Sequence, residues 1–167
     1  GEDRGMFTQS SQVNAGQISD RYSVNIDPAA KQQLGQQTFN ELTMFFQTAQ
    51  MAIETKNMAV LMAQYSDHYR DGDLDKNAVE QAWRRIFARV DTVATLNNMR
   101  LVNISEDRNM VVLQSAGLLV GVPDSEKWPV TIDNWDKQDH MLVKEGGEWK
   151  LIGIYGPERK RLWFDRP

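Results

Sequence analysis

The sequence predicts an α+β fold in which three N-terminal helices pack on a strongly curved antiparallel sheet. Apolar residues recur at helical spacing between residues 38 and 91. From about residue 93 they form long strand-like runs that are separated by short turns. Because these runs exceed the usual strand length of about five to six residues, we expect a sheet that bends around the helices.

The first predicted helix begins at a capping-box pattern formed by Thr38 and Glu41. Its apolar stripe follows at spacings of three and four residues: Phe39, Leu42, Phe46, Ala49 and Ile53.

A second, shorter helix is predicted from Met58 to the Tyr-Ser-Asp sequence at 65–67, before a turn at 71–73. The third helix is predicted to begin at a cap on Asp75 or Asn77 and to bury one apolar face up to Val90.

The strand-like runs cover residues 101–104, 110–122, 130–144 and 149–155. Gly117 and Gly121 indicate bends in the second run, and Gly146-Gly147 indicates a hairpin turn before the last.

The polar residues 1–37 contain seven Gln and are expected to form an N-terminal extension or linker, with a short extended piece near residues 22–26 and an early turn at Asp27-Pro28. The folded domain is then 38–156, and 157–167 is a basic tail or an extra strand. The apolar trio at 162–164 suits either docking to a partner or packing on its own domain.

Composition excludes several classes of protein. A net charge of −4 argues against a nucleic-acid partner, and no apolar run reaches the length of about 18 residues that an integral membrane segment needs. With no cysteine and two histidines, neither a thiolate zinc site nor a three-histidine site can form. The lack of cysteine and a start at Gly1 lead us to expect an exported, periplasmic protein, whose precursor has a signal or lipoprotein leader, rather than a cytoplasmic one.

The turn region contains an incomplete calcium-loop pattern. Asp71, Asp73, Asp75 and Asn77 have the spacing of calcium ligands, but Lys76 and Ala82 stand where the loop needs Gly and Glu. We therefore expect no metal, and the absence of phosphate-binding glycine motifs leads us to expect no cofactor.

Two segments carry a resemblance to a known family. The sequence Tyr-Ser-Asp-His-Tyr-Arg-Asp-Gly-Asp-Leu-Asp-Lys (65–76) follows the second helix, and the hairpin Gly-Gly-Glu-Trp-Lys-Leu-Ile-Gly-Ile-Tyr (146–155) closes the sheet. In order and spacing, residues 38–156 resemble the nuclear transport factor 2-like superfamily, the cone-shaped fold also seen in ketosteroid isomerase, scytalone dehydratase and polyketide cyclases. The resemblance implies an apolar cavity for a small molecule between helices and sheet, and a homodimer formed through the outer face of the sheet.

The candidates for the wall of that cavity are large apolar or aromatic side chains. They are Tyr65, Tyr69, Trp83, Phe87, Trp135, Met141 and Tyr155. Each of them could equally fill an ordinary core.

Acid–base candidates are Asp67, His68, Asp139 and His140, with Tyr65 or Tyr155 as a hydrogen-bond donor. His68 is expected at a helix C-terminus, where histidines are often exposed, whereas His140 is the better candidate if its side chain faces inward. Asp133, Asp136 and Asp139 alternate between faces of a strand, so at most two of them can reach one site.

These residues and the resemblance leave two alternative functions open. The first is a non-catalytic domain that binds a small apolar ligand or a protein segment. The alternative is a cofactor-independent isomerase, dehydratase or cyclase that acts on a small apolar substrate by acid–base chemistry.

Overall fold

The computed structural model describes residues 23–155, with only the backbone of Tyr155, and shows helices packed on one curved, unclosed sheet. The helices are α1 (Lys31–Leu34), α2 (Gln36–Glu54), α3 (Met58–Ala63) and α4 (Lys76–Arg89), and a 3-10 turn at Pro28–Ala30 precedes them. The strands are β1 (Val24–Ile26), β2 (Tyr65–Asp71), β3 (Leu74–Asp75), β4 (Val90–Ile104), β5 (Met110–Pro123), β6 (Val130–Glu145) and β7 (Glu148–Tyr155). This confirms the predicted α+β class.

The strands follow the order β1-β4-β5-β6-β7-β2-β3 across the sheet. Strands β4 to β7 are antiparallel neighbours in sequence, as predicted, while β1 pairs with β4 and β2 pairs with β7 in parallel. The short β1 precedes the helices in the chain and joins the sheet at its edge. Strand β6 is therefore central, with β4 and β2 each two strands away from it.

The core lies between the helices and the concave face of the sheet. Leu42 of α2, Leu113 of β5 and Leu142 of β6 belong to the larger apolar cluster and have no exposed surface. A second cluster joins Ile53 of α2 to Ile86 of α4. Within the described residues, no helix is both long enough and apolar enough to cross a membrane.

Part of the predicted N-terminal extension packs into this core. Ile26, Ala30 and Leu34 are 7%, 4% and 2% exposed and belong to the larger cluster. The predicted early turn is present, because Asp27 Oδ1 accepts a 2.9 Å hydrogen bond from the Ala29 amide. Composition concealed this packing because the three apolar residues are spread among polar ones.

An arginine on the β4–β5 turn holds the same segment. Arg108 Nη2 donates to the carbonyl oxygens of Gln33 and Leu34 at 2.9 and 2.7 Å, and so satisfies acceptors at the end of α1. Residues 1–22 and the predicted tail 157–167 lie outside the described residues.

The capping-box prediction is wrong. Helix α2 begins at Gln36, after Gly35, so Thr38 lies inside its first turn. The Glu41 carboxylate accepts hydrogen bonds from the side chains of Gln37 and of Trp149 on β7, instead of from the backbone at the helix start.

The prediction that residues 65–67 end the second helix is also wrong. Helix α3 ends at Ala63, and residues 65–71 form β2, in which Ser66 and Tyr69 are buried. The Leu151 amide donates to the Gln64 carbonyl at 2.8 Å where β2 joins β7. Aromatic residues favour strands, and here a pairing with a residue 87 positions later decides the local structure.

Strand β4 is longer than predicted. It begins at Val90, directly after α4, whereas the sequence analysis placed the first strand at 101–104. Its first half contains Thr and Asn residues that face the interior, so no apolar run marks it.

Candidate functional site

A cavity of about 810 Å³ lies between α2, α4 and the concave face of the sheet. This volume falls within the range of about 300–1,000 Å³ that is usual for sites that bind small molecules. Aromatic side chains form much of its wall: Phe45, Phe46, Tyr65, Tyr69, Trp83 and Trp135. Most of its other lining residues are aliphatic, so the cavity suits a largely apolar molecule.

Four of the seven predicted wall residues line this cavity: Tyr65, Tyr69, Trp83 and Trp135. Phe87 does not, because it packs against Trp83, with ring centroids 5.5 Å apart, in the second core cluster. Met141 does not either, since its neighbours His140 and Leu142 are buried and alternation turns Met141 to the other face of β6. The side chain of Tyr155 lies outside the described structure.

The four acid–base candidates separate into three environments. His140 is 8% exposed and lines the cavity, with its ring edge-on to Phe46 at 6.4 Å between centroids. Asp139 is half-buried and does not line the cavity, because it alternates with His140 along β6. Asp67 and His68 are exposed on β2. The two histidines therefore do not converge on one site.

Asp67 has a structural partner outside the cavity. Lys76 Nζ donates a 3.0 Å hydrogen bond to its Oδ1, and the side chain of Asp67 is 89% exposed. This hydrogen bond, followed by the charge of Lys76, lowers the pKa of the Asp67 carboxyl from its ordinary value of 3.8. Asp67 is thus a surface carboxylate and not a base in an apolar site.

A bulge in β6 allows both halves of this strand to face the cavity. Gly117 and Ser115 of β5 are two residues apart, but their partners on β6, Trp135 and Gln138, are three apart. The extra residue shifts the alternation, and Lys137 within it has a left-handed φ of 56°. As a result Trp135, on one side of the bulge, and Gln138, on the other, both line the cavity.

Asp133 is a cavity carboxylate that the sequence analysis did not nominate. It lies opposite Leu119 of β5, and His140 lies opposite Leu113. Six residues of extended chain span about 20 Å, so the two groups join the cavity wall at well-separated positions along the sheet. Strict alternation from the nominated Asp139 predicted Asp133 on the same face as Asp139, and the bulges were not visible in the sequence.

His140 lies closer to the tyrosines of β2. Strands β6 and β2 are separated by β7 alone, and neighbouring strands lie about 4.8 Å apart, which places β2 about 10 Å from β6. Tyr65 and Tyr69 stack edge-to-face with centroids 5.0 Å apart, and the Tyr65 oxygen accepts a 3.1 Å hydrogen bond from Trp83 Nε1. The imidazole and the two phenols therefore line the same cavity from strands that are two positions apart in the sheet.

The opposite wall of the cavity contains a buried polar chain. Trp135 Nε1 donates to Ser115 Oγ at 2.8 Å, and Ser115 Oγ makes a short hydrogen bond to Asn97 Oδ1. Asn97 and Trp135 are both register partners of Gly117, whose missing side chain leaves room for the indole. Asn97 was not predicted as a site residue, because no apolar run marks the part of the chain before residue 101 as a strand.

Within the described residues, no group of three or more His, Cys, Asp or Glu side chains is arranged to hold a metal ion. Asp75, from the calcium-like pattern, instead caps α4 by accepting a 2.9 Å hydrogen bond from the Ala78 amide.

A helical layer over the concave face of a curved antiparallel sheet, with a ligand-sized cavity between them, defines the cone-shaped nuclear transport factor 2-like fold, and this chain has that fold. No protein-family model matches the sequence, and no curated protein matches it significantly.

Solved structures provide the comparison. A protein of Novosphingobium aromaticivorans assigned as a scytalone dehydratase superposes with a TM-score of 0.63 at 11% identity, over 81% of this chain and 99% of that one. A protein of the same species assigned as an aromatic ring hydroxylase gives 0.58 at 10% identity, over 72% and 92%. Hexachlorocyclohexane dehydrochlorinase of Novosphingobium barchaimii gives 0.57 at 11% identity, over 79% and 94%. At these identities the comparison establishes the shared fold.

Proposed function

We propose that this protein is a cofactor-independent acid–base enzyme that acts on a small, largely apolar molecule by elimination or isomerisation. The observation that carries the proposal is the buried His140 imidazole facing a ligand-sized aromatic cavity. An imidazole can accept and return a proton near neutral pH, which makes it the most versatile general base among side chains. Non-catalytic binding of a small ligand would use the same cavity and differs only in whether His140 exchanges a proton.

The proposed chemistry divides between two strands. His140 removes a proton from a carbon of the bound molecule, and the C–H electrons form a double bond as a leaving group departs or a carbonyl oxygen becomes an enolate. The Tyr65 hydroxyl, two strands away, supplies a proton or a hydrogen bond to the group that gains charge. The hydrogen bond from Trp83 stabilises negative charge on the Tyr65 oxygen, which favours proton donation.

The structural relatives support the same class of reaction. The names dehydratase and dehydrochlorinase denote the loss of water and of hydrogen chloride, and both are eliminations. Neither reaction needs a metal or an organic cofactor to remove a proton, and an apolar cavity raises the strength of the electrostatic interactions that stabilise the transition state.

The test uses the ring opening of 5-nitrobenzisoxazole, an elimination that requires only a base. We expect the wild-type protein to accelerate it, and His140→Gln to lower the rate at least about tenfold, since a positioned general base contributes about 100- to 10,000-fold. The matched control is His68→Gln, which removes the exposed histidine and leaves the rate unchanged. Equal rates for the wild-type protein and His140→Gln would refute the proposed role of His140 as a general base and would favour non-catalytic ligand binding.

A further inference from the structure

The first half of strand β6 has a neighbouring strand on one side. Strand β5 pairs with β6 as far as Val130, whereas the described part of β7 pairs with β6 from Asp139 to Glu145. Among the residues that the structure describes, no other strand lies on the β7 side of residues 130–138, because β2 pairs with β7 and not with β6. We call this side of residues 130–138 the β6 edge. A strand edge of this length is a surface on which another extended segment can pair.

The chain leaves the described structure at the β6 edge. Tyr155, the last residue of β7, is opposite Asp139 of β6, and residues 156–167 follow it. An extended chain advances about 3.3 Å per residue, so residues 156–167 are longer than the edge that they would cover. The chain's own C-terminal segment is therefore long enough for the β6 edge and begins where this edge begins.

Strand β5 shows how a regular strand passes the bulge of β6. The cavity-lining residues of β6 are His140, Gln138, Trp135 and Asp133. Their partners on β5 are every second residue: Leu113, Ser115, Gly117 and Leu119. A regular strand on the other side of β6 meets the same four residues in the same steps of two. Because Ile154 of β7 lines the cavity and is opposite His140, the residues after it that face inward are 156, 158 and 160.

The charges of the C-terminal segment complement the cavity in this register. Lys160 comes opposite Asp133, so its ammonium group meets a carboxylate of the cavity wall from the neighbouring strand. Residues that are directly opposite on two antiparallel strands stabilise the sheet when their charges are opposite. Glu158 also faces inward, toward a cavity whose lining includes Arg85 of α4.

The other side chains of the segment are typical of an edge strand. Leu162 is the next inward residue, opposite Val130, which packs on the second core cluster. Pro157 comes opposite the bulge of β6, and proline is tolerated at bulges and sheet edges because it has no amide hydrogen to donate. Arg159 and Arg161 point outward, and charged residues on an edge strand prevent pairing with further chains.

We propose that residues 156–162 continue β7 along the β6 edge, with the Lys160 ammonium paired to the Asp133 carboxylate in the cavity wall. The β6 edge is then an interaction surface for the chain's own C-terminal segment and not for a second copy. Leu162, the first residue of the apolar trio, packs on its own domain, and the cavity gains a lysine beside its carboxylate. The inference goes beyond the proposed function and does not depend on it.

A disulfide test measures the register directly, because the chain contains no cysteine. Asn134 is exposed on β6, and the proposed register places it opposite Arg159. Directly opposite residues of antiparallel strands have Cα atoms about 4.5–5.5 Å apart, which a disulfide can bridge. We expect Asn134→Cys/Arg159→Cys to lose both free thiols on mild oxidation and to form a disulfide within one chain. The matched control is Asn134→Cys/Arg161→Cys, in which the Cα atoms are more than about 7 Å apart, and it should keep both thiols.

A set of thermal unfolding measurements tests the ion pair. Lys160→Gln should lower the Tm by up to about 2–4 °C, the shift that the loss of one such interaction produces in a domain of this size. The same change in an Asp133→Asn protein should leave the Tm unchanged, because the partner charge is already gone. Arg159→Gln is the matched control, since its side chain points outward, and it should leave the Tm nearly unchanged in either protein.

Three outcomes would overturn the proposal. The first is free thiols in Asn134→Cys/Arg159→Cys, or a disulfide in the Arg161→Cys control instead. The second is a disulfide that links two chains in the single variant Asn134→Cys, which would show that a second copy occupies the β6 edge. The third is an equal loss of Tm from Lys160→Gln with and without Asp133. The ring opening of 5-nitrobenzisoxazole enters none of these measurements, so a failure of the proposed enzyme would leave this inference standing.

Discussion

Trp149 Nε1 donates a 2.9 Å hydrogen bond to Oε1 of Glu41, which ties α2 to β7. Lys144 Nζ lies 3.3 Å from the same oxygen. The hydrogen bond from Trp149, followed by those from Gln37 and Lys144, lowers the pKa of the Glu41 carboxyl from its ordinary value of 4.5. A lowered pKa in the folded state means that Glu41 stabilises the fold above about pH 4.5, and that this stabilisation is lost as the pH falls through the folded-state pKa.

Glu41→Gln tests this contribution, because glutamine keeps an oxygen for Trp149 and removes the charge. We expect the free energy of unfolding, measured by urea denaturation, to fall by about 1 kcal/mol at pH 7 and by much less at pH 3. Glu148→Gln is the control, since its carboxylate is 75% exposed and 3.5 Å from Lys150, and it should change stability by a few tenths of a kcal/mol at most. A loss of equal size at both pH values would show that the charge of Glu41 does not stabilise the fold.

Glu41 also illustrates what the sequence could and could not predict. The apolar periodicity of α2 and α4 and the long strands after residue 110 were readable because each buries one continuous face. The capping-box prediction failed because Glu41 pairs with Trp149, a residue 108 positions later that no local pattern indicates. In the same way Tyr65 and Tyr69 form a strand through pairing with β7, which no local pattern records.

The candidate site was half predictable for a related reason. Large aromatic residues in a resembling fold pointed to Tyr65, Trp83 and Trp135, which do line the cavity. Which polar residues face it depends on the bulges in β6, where two residues oppose one of β5, and such a shift leaves no periodic signal. For this reason Asp133 lines the cavity and the nominated Asp139 does not. Asn97 was missed for another reason, because no apolar run marks the first half of β4.

Gly117 is required by the close approach of β4 and Trp135. A Cβ at this position would lie 2.2 Å from the Leu96 carbonyl oxygen and 2.8 Å from Trp135 Cζ2. Because the carbonyl belongs to the backbone of β4, which is paired on both sides, we expect Gly117→Ala to lower the free energy of unfolding by about 1–3 kcal/mol in urea denaturation. Tryptophan fluorescence should change as well, since the indole must leave the hydrogen bond to Ser115.

Gly121→Ala is the matched control on the same strand. Its Cβ would meet the side-chain atoms Ile132 Cδ1 at 2.9 Å and Val90 Cγ1 at 3.0 Å, and the Thr92 carbonyl oxygen at 3.1 Å. Because this carbonyl is farther away than the 2.2 Å of Leu96 from Gly117, the loss should be smaller. A larger loss for Gly121→Ala than for Gly117→Ala would contradict the assigned clash with the β4 backbone.

The hydrogen bond between Asp67 and Lys76 can be tested through the pKa of the Asp67 carboxyl. Lys76→Gln should raise the pKa of Asp67 toward 3.8, because the hydrogen bond and charge of Lys76 are what lower it. The measurement is a ¹³C NMR titration of the Asp67 carboxyl, with Lys127→Gln as a control that leaves it unchanged. Since Asp67 is 89% exposed, neither variant should measurably change stability. An unchanged Asp67 pKa in Lys76→Gln would mean that another group holds this carboxylate.

Lys137, in the β6 bulge, has a left-handed backbone conformation that favours glycine. Its φ of 56° disfavours a side chain by about 1–2 kcal/mol, while glycine loses about 0.5–1 kcal/mol more backbone entropy on folding. Lys137→Gly should therefore raise the free energy of unfolding by about 0.5 kcal/mol, the difference between these two effects. Lys137→Val should lower it, because a branched side chain is poorest at positive φ.

The same pair of variants tests how the bulge serves the cavity. With only two histidines in the chain, the imidazole C2–H signals of His140 and His68 can be followed separately by NMR. Lys137→Gly should leave both signals in place, because the bulge keeps Gln138 and His140 facing inward, whereas Lys137→Val should shift the His140 signal and not that of His68. A Lys137→Val protein with an unshifted His140 signal would show that the bulge does not set the inward orientation of this part of β6.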